Sequence, residues 1–125
     1  MKRGNLYAQH PGALPGPGEF VEELLRSGDV RIERIHSEGH ATPDGRWYDQ
    51  DHDEWVALLV GSATLRFEEG SILRLTAGDW VHIPAHARHR VEETSRDPRA
   101  LWLAIHLAAS EQGGPAGPPG EPPPA

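Results

Sequence analysis

From residue 30 to residue 107, apolar and polar positions alternate in short runs divided by turn-forming residues, the pattern of half-buried strands. VRIERI (30–35) is β-branched and alternating. In ATLRFEE (63–69), Ala63, Leu65 and Phe67 fall on one face and Thr64, Arg66 and Glu68 on the other. EWVALLV (54–60) is apolar on both faces, which predicts a central strand covered on both sides. SILRL, DWVHIP, RHRVEE and ALWLAIHL follow, at the spacing of roughly 8–12 residues typical of sandwiches and barrels. Turns are expected at TPDG, EEG, TAGD and SRDP. One segment breaks the pattern. In EFVEELLRSG (19–28), Phe20 and Leu24, and Val21 and Leu25, stand at i, i+4, acidic residues occupy the first turn, and Gly28 offers a stop. That spacing predicts a short amphipathic helix. The expected fold is therefore all-β, a two-sheet jelly roll with a short N-terminal helix.

Composition sets the boundaries. HPGALPGPG near the start and EQGGPAGPPGEPPPA at the end are too rich in Pro and Gly to bury a core. Three regions are expected: an arm and helix over 1–29, a barrel over 30–108, and a disordered tail over 109–125. The foldable part is then roughly 90 residues, small enough for a homodimer to add stability. The chain has no cysteine, which removes disulfides, thiolate ligands and cysteine nucleophiles. A formal net charge of −7 argues against a nucleic-acid partner. No apolar run reaches a membrane span, and MKRGNLYAQHPGALPG has no apolar signal core, so a soluble cytoplasmic protein is expected. No nucleotide-binding glycine motif, GxSxG or HExxH is present.

Two segments carry a family pattern. GDWVHIPAHARH runs from Gly78 and Asp79 through Pro84 to His89. It resembles the second motif of the cupin superfamily, whose closing histidine ligates metal. Glu54, six intervening residues and Gly61 resemble the second half of the first cupin motif, where the Glu is also a ligand. The resemblance covers roughly residues 30 to 107, and with WYDQ, DEWV and WLAIH it extends to a subgroup of small single-domain bacterial cupin-domain proteins. It implies a double-stranded β-helix barrel and oxygenase- or isomerase-type chemistry on a small molecule. The departures are specific. Tyr48 and Gln50 stand where metal-binding cupins carry His-x-His, His86 replaces the Gly of Pro-x-Gly, and Glu93 replaces the usual Asn.

Strand alternation counted back from Glu54 puts His52, Gln50 and Tyr48 on its face, with Asp53, Asp51 and Asp49 on the other as a hydrated rim. A bulge before Glu54, frequent in cupins, would alter the face of His52. His89 is expected to point inward, and Arg88 and Arg90 outward. Trp102, Ala104 and His106 share the minority face of the last strand, and His36 could line the cavity with Arg34 and Ile32. The candidate metal set is Glu54, His89, Gln50 and His52, a mixture that suits Fe(II), Mn(II), Ni(II), Co(II) or Zn(II). Tyr48 and His106 are the candidates for proton handling or substrate orientation. Two readings stay open: a metal-dependent enzyme, and a metal-free module that binds or senses a small ligand.

Overall fold

The structure, a computed structural model, describes residues 1–8 and 18–109. Eight strands run in order as β1 (Glu19–Ser27), β2 (Val30–Ser37), β3 (Asp53–Val60), β4 (Ser62–Phe67), β5 (Ile72–Thr76), β6 (Trp80–Ile83), β7 (His89–Thr94) and β8 (Ala100–Leu107). They form a five-stranded sheet, β1-β2-β8-β3-β6, and a three-stranded sheet, β5-β4-β7. Every strand pair is antiparallel. The expected jelly roll is what the chain forms. EWVALLV lies inside the larger sheet, between β8 and β6, as its two-sided apolar character requires.

The expected N-terminal helix does not form. Residues 19–27 are a strand paired along β2, from Glu19 opposite Ser37 to Ser27 opposite Val30. A helix of nine residues is marginal in isolation, whereas β2 offers a full ladder of backbone partners. A bulge between Glu23 and Leu25 explains the misleading periodicity. Val21 lines the interior, while Leu25 pairs with Ile32, whose strand neighbours Arg31 and Glu33 face inward. The extra residue thus moves Leu25 to the outer face. The expected disordered tail and the arm around His10 lie largely outside the described residues.

Between the sheets, Val56 and Leu58 of β3 pack with Ala63 and Leu65 of β4 and with Trp102 of β8. Leu58 is fully buried. Gly61 makes the close joint between β3 and β4. Its φ is +85°, and a Cβ there would stand 2.5 Å from Ser95 Oγ and 3.0 Å from Ala100 Cα. No side chain fits that joint without moving backbone, which accounts for this glycine on both conformational and steric grounds.

Two arginines hold irregular backbone against the sheets. Arg34 is buried on the outer face and donates through Nη1 to the carbonyls of Asn5, Leu6 and Ala8, at 3.0, 3.1 and 2.7 Å. Its Nε and Nη2 reach Glu22 Oε1 at 2.8 and 2.6 Å. Arg90, expected at a solvated face, is also buried. It donates to the carbonyls of Thr42, Pro43 and Arg46, at 2.7, 3.2 and 3.3 Å. In each case backbone carbonyls take up part of the guanidinium's fork of donors, while a carboxylate lies beside it, Glu22 at Arg34 and Glu92 at 3.1 Å from Arg90 Nε. Arg34→Leu is expected to leave the sandwich folded, lower its stability by ~2 kcal/mol and release residues 5–8. Amide exchange would show those residues losing protection, while unchanged protection would mean that other contacts hold the arm.

Candidate functional site

The interior is graded from polar to apolar by strand register. On the inner face of the large sheet, Arg31, His106 and Glu54 stand side by side on β2, β8 and β3. The next inward row is Glu33, Ala104 and Val56, and the one beyond is Ile35, Trp102 and Leu58. Alternation carries each strand from an ionisable residue to a large apolar one over four positions. The result is a cavity of about 230 Å³. Its polar end holds Glu19, Arg31, Glu33, Tyr48, Gln50, Glu54, His89 and His106, and Val21, Ile35, Val56, Leu65, Ile83, Val91 and Trp102 complete the wall.

His89 arrives from β7 in the opposing sheet. Its Nδ1–H donates to the Ala87 carbonyl at 2.8 Å. The lone pair of the neutral ring is therefore at Nε2, 3.9 Å from Glu54 Oε1. Burial lowers the His89 pKa, so the ring is neutral at physiological pH. Tyr48 exchanges backbone hydrogen bonds with His89, at 2.7 and 3.1 Å, and its ring stacks on the imidazole at 5.6 Å. Burial, and secondarily the charge of Glu19, raises the Tyr48 pKa and keeps its hydroxyl protonated. Gln50 is fixed at the cavity rim by its carbonyl, which accepts from the His86 N–H at 2.7 Å. His86 itself has φ +65°. It adopts the left-handed conformation of the glycine it replaces, held by Asp49 Oδ1 at 2.8 Å from its Nδ1.

Glu54 is the most perturbed acid of the site. Burial is the main cause, with the carboxylates of Glu33 and Glu19 adding repulsion and Arg31 opposing them, and its pKa is raised to about 7. Glu33 stays engaged. Arg31 Nε lies 2.9 Å from its Oε2, and His106 Nε2–H donates to its Oε1 at 2.9 Å. His106 Nδ1 then accepts from His52 Nε2–H at 2.9 Å. Those three residues form one chain of contacts from an outer pocket, lined by Asp51, His52, His106 and Arg31, to the inner cavity.

Of the residues expected at the site, Glu54, His89, Gln50, Tyr48 and His106 line the cavity. His52 does not share their face. Strand β3 begins only at Asp53, and the irregular segment before it turns the His52 ring onto the outer pocket. Asp53 is not part of a hydrated rim. It is buried, accepting from His82 Nε2 at 2.9 Å and from the Ala85 N–H at 2.9 Å, because the turn after β6 closes over it. His36 lies on the outer face, with its Nε2 3.0 Å from Glu22 Oε1. The interior instead receives Arg31 and Glu33, with Glu19 from β1. Alternation in VRIERI, with Ile35 as the inward reference, would have found the pair.

The donors do not fit a cupin metal centre. Two ligands of one ion, each at about 2.1 Å, can stand up to ~4 Å apart, a limit that Glu54 Oε1 and His89 Nε2 meet at 3.9 Å. Both nitrogens of His106 are committed to His52 and Glu33, and His52 faces away. Among the described residues no three His, Cys, Asp or Glu side chains gather as a metal site.

A family model described as "Cupin domain" matches residues 34–106. The chain belongs to the cupin family. A crystal structure of a candidate mannose-6-phosphate isomerase from Ralstonia eutropha JMP134 is 43% identical to this cupin, covers 87% of it and 100% of its own chain, and superposes with a TM-score of 0.80. A cupin superfamily protein from Desulfitobacterium hafniense DCB-2 is 20% identical, with a TM-score of 0.65 and coverage of 79% and 84%. KdgF from Halomonas sp. is 19% identical, with a TM-score of 0.62 and coverage of 78% and 88%. The last two show the fold alone. Among curated proteins, none matches the chain.

The raised pKa of Glu54 has a consequence for stability. A carboxyl whose folded pKa exceeds its unfolded value favours the fold only while protonated. Its contribution is complete below about pH 4.5 and is lost as pH rises to about 7. Glu54→Gln is expected to stabilise the protein by up to ~3 kcal/mol at about pH 8, with the gain vanishing below about pH 4.5. Urea denaturation at several pH values measures this directly.

Proposed function

We propose that this cupin holds a small organic molecule in the barrel and exchanges a proton with it through Glu54, chemistry of the isomerase type, without a bound metal. The position of Glu54 carries the reading: a buried carboxyl on the cavity wall, with a pKa of about 7, facing the open Nε2 of His89. A carboxyl poised near neutrality both accepts and returns a proton. Tyr48, protonated and stacked on His89, lines the same space. Glu33, held by Arg31 and His106, keeps a fixed negative charge near Glu54. Glu54 and His89 are thus the reacting pair, and Gln50 and Tyr48 orient the ligand.

The Ralstonia relative's name pairs isomerase chemistry with a sugar phosphate. The reaction class agrees with this site, but the phosphate does not. Three carboxylates line the cavity against one guanidinium, and Arg31 is already paired with Glu33. A dianionic group would enter an acidic, low-dielectric space with no free cation to meet it. A second reading, binding without turnover, is favoured by Tyr48 and Gln50 in place of the His-x-His pair.

Incubation of small oxo and hydroxy compounds with the protein in D₂O, followed by NMR, tests the proposal. Deuterium should enter a carbon–hydrogen position of a bound compound, survive chelator treatment, and fall at least ~100-fold in Glu54→Gln. Binding without exchange would favour the second reading. Near-stoichiometric Fe, Mn, Ni, Co or Zn in the purified protein, lost in His89→Ala, would contradict the metal-free account.

The reading includes a homodimer formed through the outer face of the five-stranded sheet. Leu103 and Ile105 of β8 and Trp55 of β3 face that way, beside the exposed Leu25 and Trp80, and Trp55 stacks on Trp80 at 5.8 Å. An apolar sheet face of this kind is a common association surface. Light scattering at micromolar concentration should give the dimer mass, and Trp80→Asp should shift it toward the monomer.

A further inference from the structure

The cavity's charge and donor arrangement narrow the chemistry of its occupant. Glu19, Glu33 and Glu54 line one space with Arg31 as the single permanent cation. Glu33 is engaged by Arg31 and His106. Among the described residues, Glu54 meets only His89 Nε2, at 3.9 Å, and Glu19 has no guanidinium or ammonium partner, its Oε2 lying 3.4 Å from the Ser37 hydroxyl and 3.7 Å from His40 Nε2. Glu19 and Glu54 belong to different strands, β1 and β3. Among the described residues, no three acidic or imidazole groups converge closely enough to hold one metal ion. The negative charge is distributed around the wall, an arrangement suited to a cation several atoms across.

A second, independent feature points to the same occupant. The His89 side chain is 6% exposed, and its Nδ1–H is used by the Ala87 carbonyl. Its Nε2 makes no hydrogen bond among the described residues and stands on the cavity wall. A buried, unprotonated imidazole nitrogen is an acceptor awaiting a donor. An N–H of the ligand, or the proton of Glu54 drawn closer, would satisfy it. The remaining wall is apolar and aromatic. Tyr48 and Trp102 lie along it, and aromatic faces attract cations. A cavity of about 230 Å³ corresponds to seven or eight water volumes at ~30 Å³ each, room for a molecule on the order of ten non-hydrogen atoms.

We infer that the barrel cavity takes a small organic ammonium ion, its N–H groups shared among Glu54, Glu19 and His89 Nε2 and its apolar part against Val56, Leu65 and Trp102. The inference rests on the small-molecule reading given above and sharpens it to a charge class. Anions are excluded by the carboxylates, and neutral molecules lose the charge-assisted contacts.

Three probes of one shape separate the possibilities: benzylamine, benzyl alcohol and benzoate, titrated into the full chain at about pH 8 and low salt, with the indole resonance of Trp102 followed by NMR. Benzylamine should bind at least ~10-fold more tightly than benzyl alcohol, and benzoate should not bind at measurable concentrations. The double variant Glu19→Gln, Glu54→Gln should abolish the amine's advantage, and an unshifted Trp102 indole resonance in the ligand-free variant shows that the cavity is intact. Equal affinity for amine and alcohol would overturn the charge class and leave the small-molecule reading standing. Preference for benzoate, or displacement of benzylamine by stoichiometric MnCl₂ or ZnCl₂, would overturn it as well. Failure of all three probes to bind would overturn it together with the reading beneath it.

Discussion

Glu54 shares the inner face of β3 with Val56 and Leu58, and this placement governs the chemistry of the cavity. A carboxyl in that setting loses most of its hydration. The nearest fixed charges, Glu33 and Glu19, repel its ionised form, and Arg31 offsets them only in part. The surrounding polar groups answer that constraint. Arg31 and His106 are spent on Glu33 rather than on Glu54, so neither of them neutralises it. His89 offers it a lone pair rather than a proton. The fold thereby keeps one acid close to its titration point beside an apolar wall, a state that lowers stability and is a common mark of a functional group.

The framework that permits this is a sandwich of unequal sheets. β3 and β8 lie inside the five-stranded sheet, each paired on both sides, so the row of Arg31, His106 and Glu54 is fixed by backbone register rather than by flexible side chains. The opposite wall depends on less regular parts. Tyr48 and Gln50 lie in the long connection between β2 and β3, which Arg90 grips by three carbonyls and which the Tyr48–His89 bridge ties to β7. Looser connections of this type are where local opening concentrates. A ligand would enter past Tyr48 and Gln50, while the Glu54 side of the site stays rigid.

Strand alternation makes most of the barrel legible in the sequence. Glu54, His89 and His106 face inward as alternation implies because β3, β7 and β8 are regular at those positions. His52 and Asp53 differ from expectation for separate reasons: β3 begins at Asp53, so a period of two carried back to Tyr48 runs into irregular chain at His52, whereas Asp53 lies within the strand and is buried by the turn after β6. The N-terminal segment was misread because a bulge at Leu24 mimics helical spacing, and local pattern carries no information about the free edge of β2 that captured it. Arg31 and Glu33 were hidden by their charge. Charged residues are expected outside, and only the register of β2 against β8 reveals that they share the face of Ile35 and Trp102. Arg90 was missed because its partners are backbone carbonyls, which no residue pattern announces.

The proposed chemistry depends on the ionisation of one side chain. Carbon-13 NMR of the glutamate side-chain carboxyls, assigned through Glu54→Gln and followed from about pH 4 to about pH 9, reads it directly in chelator-treated protein. A midpoint for Glu54 at about 7 would support the buried, unpaired acid on which the proposed chemistry depends. A midpoint at the usual carboxylate value of 4.5 would contradict it, by showing a hydrated or ion-paired Glu54 and a site organised around something else.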